Sequence, residues 1–168
     1  MRSIVLIAHD IRSCHNVGSL LRTADGFGVE HVYLTGYTPY PPLPNGDTRL
    51  PHLASKIGRQ IHKTALGAEA SIAWTQQDDI VPLLDQLKAE GYVLAALEQD
   101  DDSISLPDFH APTKIALLLG REVEGIEQEL LKQVDVTLEI PMFGAKESFN
   151  VVQAAAAALY QLRFASEA

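Results

Sequence analysis

The chain reads as one α/β domain, a mostly parallel sheet with helices on both faces, and three observations predict it. Six short apolar runs recur along the 168 residues. Stretches with helical period separate them. None of the runs alternates apolar with polar side chains, as a strand with one wet face would, so both faces of the sheet are expected to be covered. A chain of this length folding as one unit buries well over half of the surface it exposes when unfolded, so residues 1–168 are expected to share a single core.

In chain order, the first run is SIVLIA at 3–8. It leads into HNVGSLLRTADGFG, His15 to Gly28, where Val17, Leu20, Leu21 and Ala24 recur at i, i+3, i+4, i+7 and define a buried helix face. Gly18, Arg22 and Asp25 share the opposite face, Asn16 is placed to cap the first turn, and Gly26-Phe27-Gly28 supplies a stop. The strand HVYLT follows at 31–35. Residues 37–51, YTPYPPLPNGDTRLP, carry five prolines and an Asn-Gly pair that block helix and central strand alike. This is a loop inside the domain and a candidate lid over a substrate. Next come a strand at 71–75 (SIAWT), a helix at 78–90, strands at 92–97 (YVLAAL) and 114–119 (KIALLL), a helix at 125–133, a strand at 136–140 (VTLEI) and a long closing helix at 149–164. In that last helix Ala154 to Ala158 form a run of small side chains suited to a close helix–helix contact, including one between subunits.

Composition narrows the function classes. The formal charge of −9 argues against a protein that coats nucleic acid by bulk electrostatics. Positive charge is nevertheless concentrated locally, in Arg49, Lys56, Arg59, His62 and Lys63, with Asp47 the one nearby acid. A single cysteine, Cys14, excludes an internal disulfide framework and offers no zinc-type spacing, so no metal is expected. No run approaches the ~20 apolar residues that span a bilayer, and MRSIVLIAHD lacks a small-residue cleavage site, so a cytoplasmic protein without membrane contact is expected.

Three segments carry candidate chemistry. On its own, the helix at 15–28 is a capped amphipathic helix in which Arg22 and Asp25 form a surface ion pair, while Gly18, one turn before Arg22, leaves room for a ligand. In LLLGREVEGI, Leu117 to Ile126, a glycine follows an apolar strand at the sheet edge where α/β proteins bind ligands, and Gly120 lets a ligand approach the backbone. The spacing fits neither the dinucleotide fingerprint nor a Walker loop, and acids near a helix start repel phosphate; Glu124 is best placed to cap the next helix. In IPMFGAKESFNVVQAAAAALYQLR, Ile140 to Arg163, a strand end and a glycine-containing loop lead to Ser148, a candidate N-cap, and Asn150.

Taken together, these segments resemble the three motifs of the SpoU (TrmH-like) branch of the SPOUT RNA methyltransferases. The first reads Asn16-Val-Gly18-Ser-Leu-Leu-Arg22-Thr-Ala24 followed by Phe27-Gly28. The second reads Leu119-Gly120-Arg-Glu122-Val-Glu-Gly125-Ile126, and the third Ile140-Pro141-Met142, Gly144 and Ser148-Phe-Asn150-Val151, leading to Ala154 and Leu159-Tyr160. The intervening KTALGAE at 63–69 is also similar to family members. The order is right and the likeness spans nearly the whole chain. It departs from the common Ser-Leu-Asn-Val-Ser at Phe149 and Val152, and Val123 stands where a small residue is usual.

The resemblance implies a C-terminal trefoil knot that forms a pocket for S-adenosyl-L-methionine, and a homodimer whose active site combines residues of both subunits. It implies cofactor contacts from Leu97, Gly120, Ile140, Met142, Ser148 and Phe149, and a methyl-transfer centre made by Arg22, Asn16, Glu122, Ser148 and Asn150. Transfer to a ribose 2′-hydroxyl requires that hydroxyl to lose a proton. Arg22 either takes it in a strongly perturbed setting or, as a cation, stabilises the developing oxyanion. Arg49, Lys56, Arg59 and Lys63 are the candidate RNA contacts. With no separate RNA-binding domain expected, a compact tRNA recognised by shape is favoured over rRNA. The rival readings are a catalytically silent RNA-binding or assembly protein of the same fold, and a methyltransferase acting on a base nitrogen.

Overall fold

The computed structural model describes residues 1–164. Seven strands, β1 (Ser3–His9), β2 (His31–Thr35), β3 (Trp74–Gln77), β4 (Val93–Leu97), β5 (Ile104–Ser105), β6 (Lys114–Leu119) and β7 (Val136–Glu139), form one sheet in the order β3-β2-β1-β6-β4-β7-β5. Every pairing is parallel. The predicted α/β class therefore holds.

The two-residue period of a strand divides the central residues between two cores. Ile4, Leu6 and Ala8 of β1, with Ile115, Leu117 and Leu119 of β6, face a core shared with Val17, Leu20, Leu21 and Ala24 of α1 (Cys14–Gly26), Ile61 and Ala65 of α2 (Pro51–Ala65), and Ala155, Ala158, Leu159 and Leu162 of α6 (Val151–Phe164). Val5, Ile7, Ala116 and Leu118 point the other way, against Leu83, Leu84 and Leu87 of α4 (Val81–Ala89) and Leu130 of α5 (Gln128–Leu131). Both faces are covered, which is why the runs do not alternate. A short helix α3 (Ala68–Ser71) follows α2. Among the described residues no helix is long and apolar enough to cross a membrane.

Several expected boundaries move, each for a local reason. The 71–75 strand starts at Trp74 because Ser71 closes α3. The helix expected at 125–133 contracts to Gln128–Leu131, because Gly125 has φ +69° and is bridged back to Arg121, and Glu127 is extended. Asn150, not Ser148, caps α6: its Oδ1 accepts from the Val152 amide at 2.9 Å. Likewise Ser13, not Asn16, caps α1, its hydroxyl accepting from the Asn16 amide at 3.2 Å. Helix α2 was not expected at all. Its signal was present in Pro51 at the first turn and in Ala54, Ile57, Ile61 and Ala65 at helical spacing, but Gly58 and the preceding prolines masked it. Gly58 is where the loop packs on α2, since a Cβ there would sit 2.7 Å from Pro42 Cδ.

Gly18 is likewise explained by packing. It is buried, and a Cβ added to it would collide with the Ile61 carbonyl oxygen and Thr64 Oγ1 of α2. The space it clears is filled by α2 and not by a ligand. Asp25 accepts from Ser71 Oγ at 2.9 Å and so faces α3; no Arg22–Asp25 pair forms. Ala155 and Ala158 are buried in the chain's own core, leaving Gln153, Ala157, Tyr160 and Phe164 as the exposed stripe of α6.

Gly18→Ala is expected to destabilise the fold by about 1–3 kcal/mol through overpacking, despite alanine's better helix propensity. Urea unfolding followed by circular dichroism checks this; an unchanged or raised midpoint would mean α2 yields at no cost.

Candidate active site

One cleft lies outside the carboxyl ends of β4, β6 and β7, where open parallel sheets bind ligands. The space it encloses, counted out to its open mouth, is about 810 Å³. The floor is made by strand ends: Leu97 of β4, Leu119 and Gly120 after β6, and Leu138 to Ile140 of β7. Two loops, 120–126 and 141–150, close it. All six residues expected to hold a cofactor, Leu97, Gly120, Ile140, Met142, Ser148 and Phe149, line this one cleft although they are far apart in the chain.

The 120–126 loop is fixed from within and without. Reciprocal backbone hydrogen bonds of 3.2 Å join Arg121 and Gly125. Gly120 is required by the loop's own fold, because a Cβ there would lie 2.7 Å from the Gly125 carbonyl carbon, and it also lines the cleft. Glu98 accepts from the Ile126 amide at 2.9 Å and occupies the side-chain space over Gly125. Sequence reasoning missed Glu98; an acid directly after an apolar strand, at the ligand-binding edge, was the available signal.

Glu122 is the hub of the loop. Its carboxylate accepts from the amides of Arg12 at 3.1 and 3.2 Å and Ser13 at 3.1 Å, and from Asn16 Nδ2 at 3.1 Å. It thus satisfies free donors at the N-terminus of α1. Burial opposes its ionisation, but the hydrogen bonds from Arg12, Asn16 and Ser13 outweigh this and hold its pKa below the ordinary glutamate value. Glu124 does not cap the following helix; it pairs with Arg12 at 2.7 Å. Asn16 Oδ1 in turn accepts from Asn150 Nδ2 at 3.4 Å, and Gln99 Nε2 donates to the Glu147 carbonyl at 2.8 Å, tying the 141–150 loop to the rest. Asn16, Glu122 and Asn150 are therefore joined, and exposed Ser148 stands in the cleft wall.

Arg22 is not brought to them. It is exposed on α1, does not line the cleft, and makes no hydrogen bond or ion pair among the described residues. Phe149 reaches the cleft and is 48% exposed, while Val123 is 86% exposed, so its branched side chain stands at the rim instead of filling the interior. Val152 packs against the core.

A second polar cluster, also missed, sits beside the cleft at the ends of β1 and β2. Asp10, in the left-handed region at φ +55° and buried, accepts from the Tyr37 amide at 3.1 Å and lies 3.4 Å from His9 Nε2 and 3.9 Å from Arg121 Nε. His9 Nδ1 meets Thr35 Oγ1 at 2.9 Å; burial lowers the His9 pKa by more than neighbouring Asp10 raises it. The cluster anchors the start of the 120–126 loop, and Arg121 also pairs with Glu127.

Of the expected RNA contacts, Arg49 is already engaged. Its guanidinium binds Asp47 at 2.6 and 2.9 Å, donates to the carbonyls of Tyr40 and Pro41, and lies 3.6 Å over the Tyr40 ring. It pins the proline-rich loop. Lys56, Arg59 and Lys63 stand exposed on one face of α2, at i, i+3 and i+7.

The family model for the SpoU rRNA methylase family matches residues 47–160. The chain belongs to that family. It is 30% identical over 161 residues to the 23S rRNA (guanosine(2553)-2′-O)-methyltransferase RlmP of Bacillus subtilis, covering 95% of this chain and 57% of that protein. It is 27% identical over 161 residues to the tRNA (guanosine(18)-2′-O)-methyltransferase of Escherichia coli K12, covering 94% and 62%. The fold matches an AdoMet-bound rRNA methyltransferase from Sinorhizobium meliloti with a TM-score of 0.78 at 20% identity, over 96% of this chain and 56% of that one. It also matches a TrmH-family RNA methyltransferase structure from Porphyromonas gingivalis, at 0.77 and 27%, over 98% and 61%. The chain spans less than two thirds of the length of these curated relatives.

Because the folded-state pKa of Glu122 is depressed, its stabilising effect is present above the ordinary glutamate pKa and lost as pH falls through the folded value. The stability gap between the wild type and Glu122→Gln is expected to be full at pH 7 and to close below about pH 4. Denaturation midpoints of both proteins across that range check it; a gap that widens in acid would contradict the assignment.

Proposed function

We propose that the protein is an S-adenosylmethionine-dependent RNA methyltransferase that transfers a methyl group to a ribose 2′-hydroxyl, with tRNA favoured over rRNA as substrate. The observation that carries this is the single cleft that gathers Leu97, Gly120, Ile140, Met142, Ser148 and Phe149 from three strand ends and two loops. Its chemistry suits the donor. Leu97, Leu138, Ile140, Met142 and Phe149 offer apolar surface to a planar base, and exposed strand-end backbone together with Ser148 offers hydrogen bonds to polar groups. When bound, S-adenosylmethionine supplies an electrophilic methyl group.

The chain's own residues position and stabilise. Glu122 fixes Asn16, Asn16 meets Asn150, and Ser148 stands at the cleft, so the first and third motifs are held against the second. A guanidinium is a permanent cation. Arg22, standing in solvent, is therefore read as the group that stabilises the oxyanion developing on the 2′-oxygen. Since Arg22 lies away from the cleft of its own chain, it would serve the cleft of a second subunit in a homodimer. The exposed ring cluster of Tyr160 and Phe164 on α6, with Phe27 edge-on to Tyr160 at 6.4 Å, supports such a contact surface. The convergence of the loops after β4, β6 and β7 on one cleft supports the knot that the family resemblance implies. The Escherichia coli relative named for guanosine 18 of tRNA favours tRNA.

The basic face of α2 is the proposed backbone contact. The helix holds Lys56, Arg59 and Lys63 and no acid, in a chain of net charge −9. Local cations of this kind position RNA through its phosphates.

Arg22→Ala is expected to lower methyl transfer to tRNA by about 100-fold or more while leaving folding and S-adenosylmethionine binding intact. Mass spectrometry of the modified nucleosides, with calorimetry for the donor, reads both quantities. Joint loss of binding and folding would make Arg22 structural, and a methylated base in place of ribose would overturn the reaction class.

Replacing Lys56, Arg59 and Lys63 together by alanine is expected to weaken tRNA binding and reduce the slope of log K against log salt by about 2–3. Filter binding at several salt concentrations measures it; an unchanged slope would place the RNA elsewhere.

A further inference from the structure

We propose that Phe143 is a stacking platform for an unpaired RNA nucleobase next to the ribose that accepts the methyl group, an inference that rests on the methyltransferase reading above. The two loops that close the cleft carry three exposed apolar side chains: Val123 is 86% exposed, Phe149 48% and Phe143 97%. Val123 and Phe149 line the cleft, and Phe143 directly follows the lining residue Met142. Phe143 contributes almost nothing to the fold, because nearly all of its surface faces solvent. Its backbone is nonetheless held in place. Met142 sits in the cleft wall before it, and after it the Glu147 carbonyl accepts from Gln99 while Asn150 caps α6 and reaches Asn16.

The surroundings of the ring suit a base. Gly144 follows it, and among the described residues no heavy atom beyond its chain neighbours lies within 4 Å of where a Cβ on that glycine would be, so the space beside the ring's backbone is open. Lys146 is exposed three residues on, but so is Glu147 beside it, and the rim also carries Glu122 and Glu124. The rim as a whole therefore does not gather phosphate. What it offers is an uncharged aromatic face, and base–aromatic stacking needs no charge and tolerates any base. Selective recognition of a structured RNA targets unpaired loops, whose splayed bases stack on aromatic side chains. A second copy of the chain is a poorer occupant of this rim, because a separate aromatic surface, Phe27, Tyr160 and Phe164, is available for subunit contact.

The test uses the full chain with bulk tRNA from cells lacking this protein. Phe143→Ala is expected to raise the KM for tRNA by about 5- to 150-fold, the range of one lost stacking contact. S-adenosylmethionine affinity, kcat at saturating tRNA and the oligomeric state should not change. Phe143→Trp is expected to restore the KM, and its emission, after subtraction of the Trp74 signal of the wild type, should be quenched by tRNA and not by S-adenosylmethionine. An unchanged KM in F143A overturns the inference. So does weakened donor binding, which would place Phe143 in the donor site, or dissociation of a dimer on sedimentation, which would make it a subunit contact. The emission measurement stands apart from catalysis. If the wild type transfers no methyl group, quenching by tRNA upholds the platform while the methyltransferase reading falls, and unaltered emission removes the platform.

Discussion

The arrangement of the site depends on one carboxylate. Glu122 takes hydrogen bonds from the amides of Arg12 and Ser13 and from Asn16 Nδ2, more than a hundred residues earlier in the chain. A helix N-terminus always presents amides without intrahelical partners. Here Ser13 satisfies only the Asn16 amide, and a charge-assisted set from another loop takes over the donors just before the helix. The consequence is geometric: the loop after β6 cannot move without moving α1, and through Asn16 the contact extends to Asn150 at the start of α6. Segments remote in sequence become one wall.

The same loop is tied at further points. Arg121 faces Asp10 and Glu127, Glu124 pairs with Arg12, and Ile126 donates to Glu98. Glycines permit this closeness, Gly120 because the loop folds back over it and Gly125 because Glu98 occupies the place of a side chain. A wall built this way is rigid before any ligand arrives, which lowers the ordering cost of binding. The 141–150 loop differs: Phe143 and Lys146 project into solvent from a backbone fixed on either side, leaving their side chains available to a large partner.

Charge is distributed with similar economy. The chain is acidic overall, yet α2 carries only cations on its polar face, while Arg49, first in line by sequence, is spent on Asp47, Tyr40 and neighbouring carbonyls to shape the proline-rich loop. Cationic residues counted along a sequence are therefore not equivalent, because an ion pair with stacked and backbone partners removes one of them from solvent.

By itself the sequence determined the α/β class and five of the six expected strands to within two residues at either end, because strands buried on both faces leave unbroken apolar runs. Through its likeness to a family it also named six of the residues that line the cleft, though not Glu98 or Leu138 beside them. Tertiary structure decided the rest. Helix α2 was hidden by Gly58 and the prolines before it, whose purpose is visible only when Pro42 lies against that glycine. Gly18 reads in sequence as room for a ligand and in the fold is room for α2, because a helical wheel shows which face a residue occupies but not what covers it. His9 and Asp10 carried no local pattern, and their roles, like that of Glu98, arise from contacts across strand ends. Arg22 makes the limit clearest. Its type and its place on the polar face of α1 were legible, but that it does not line its own chain's cleft was not, because that depends on how helix α1 turns against the sheet.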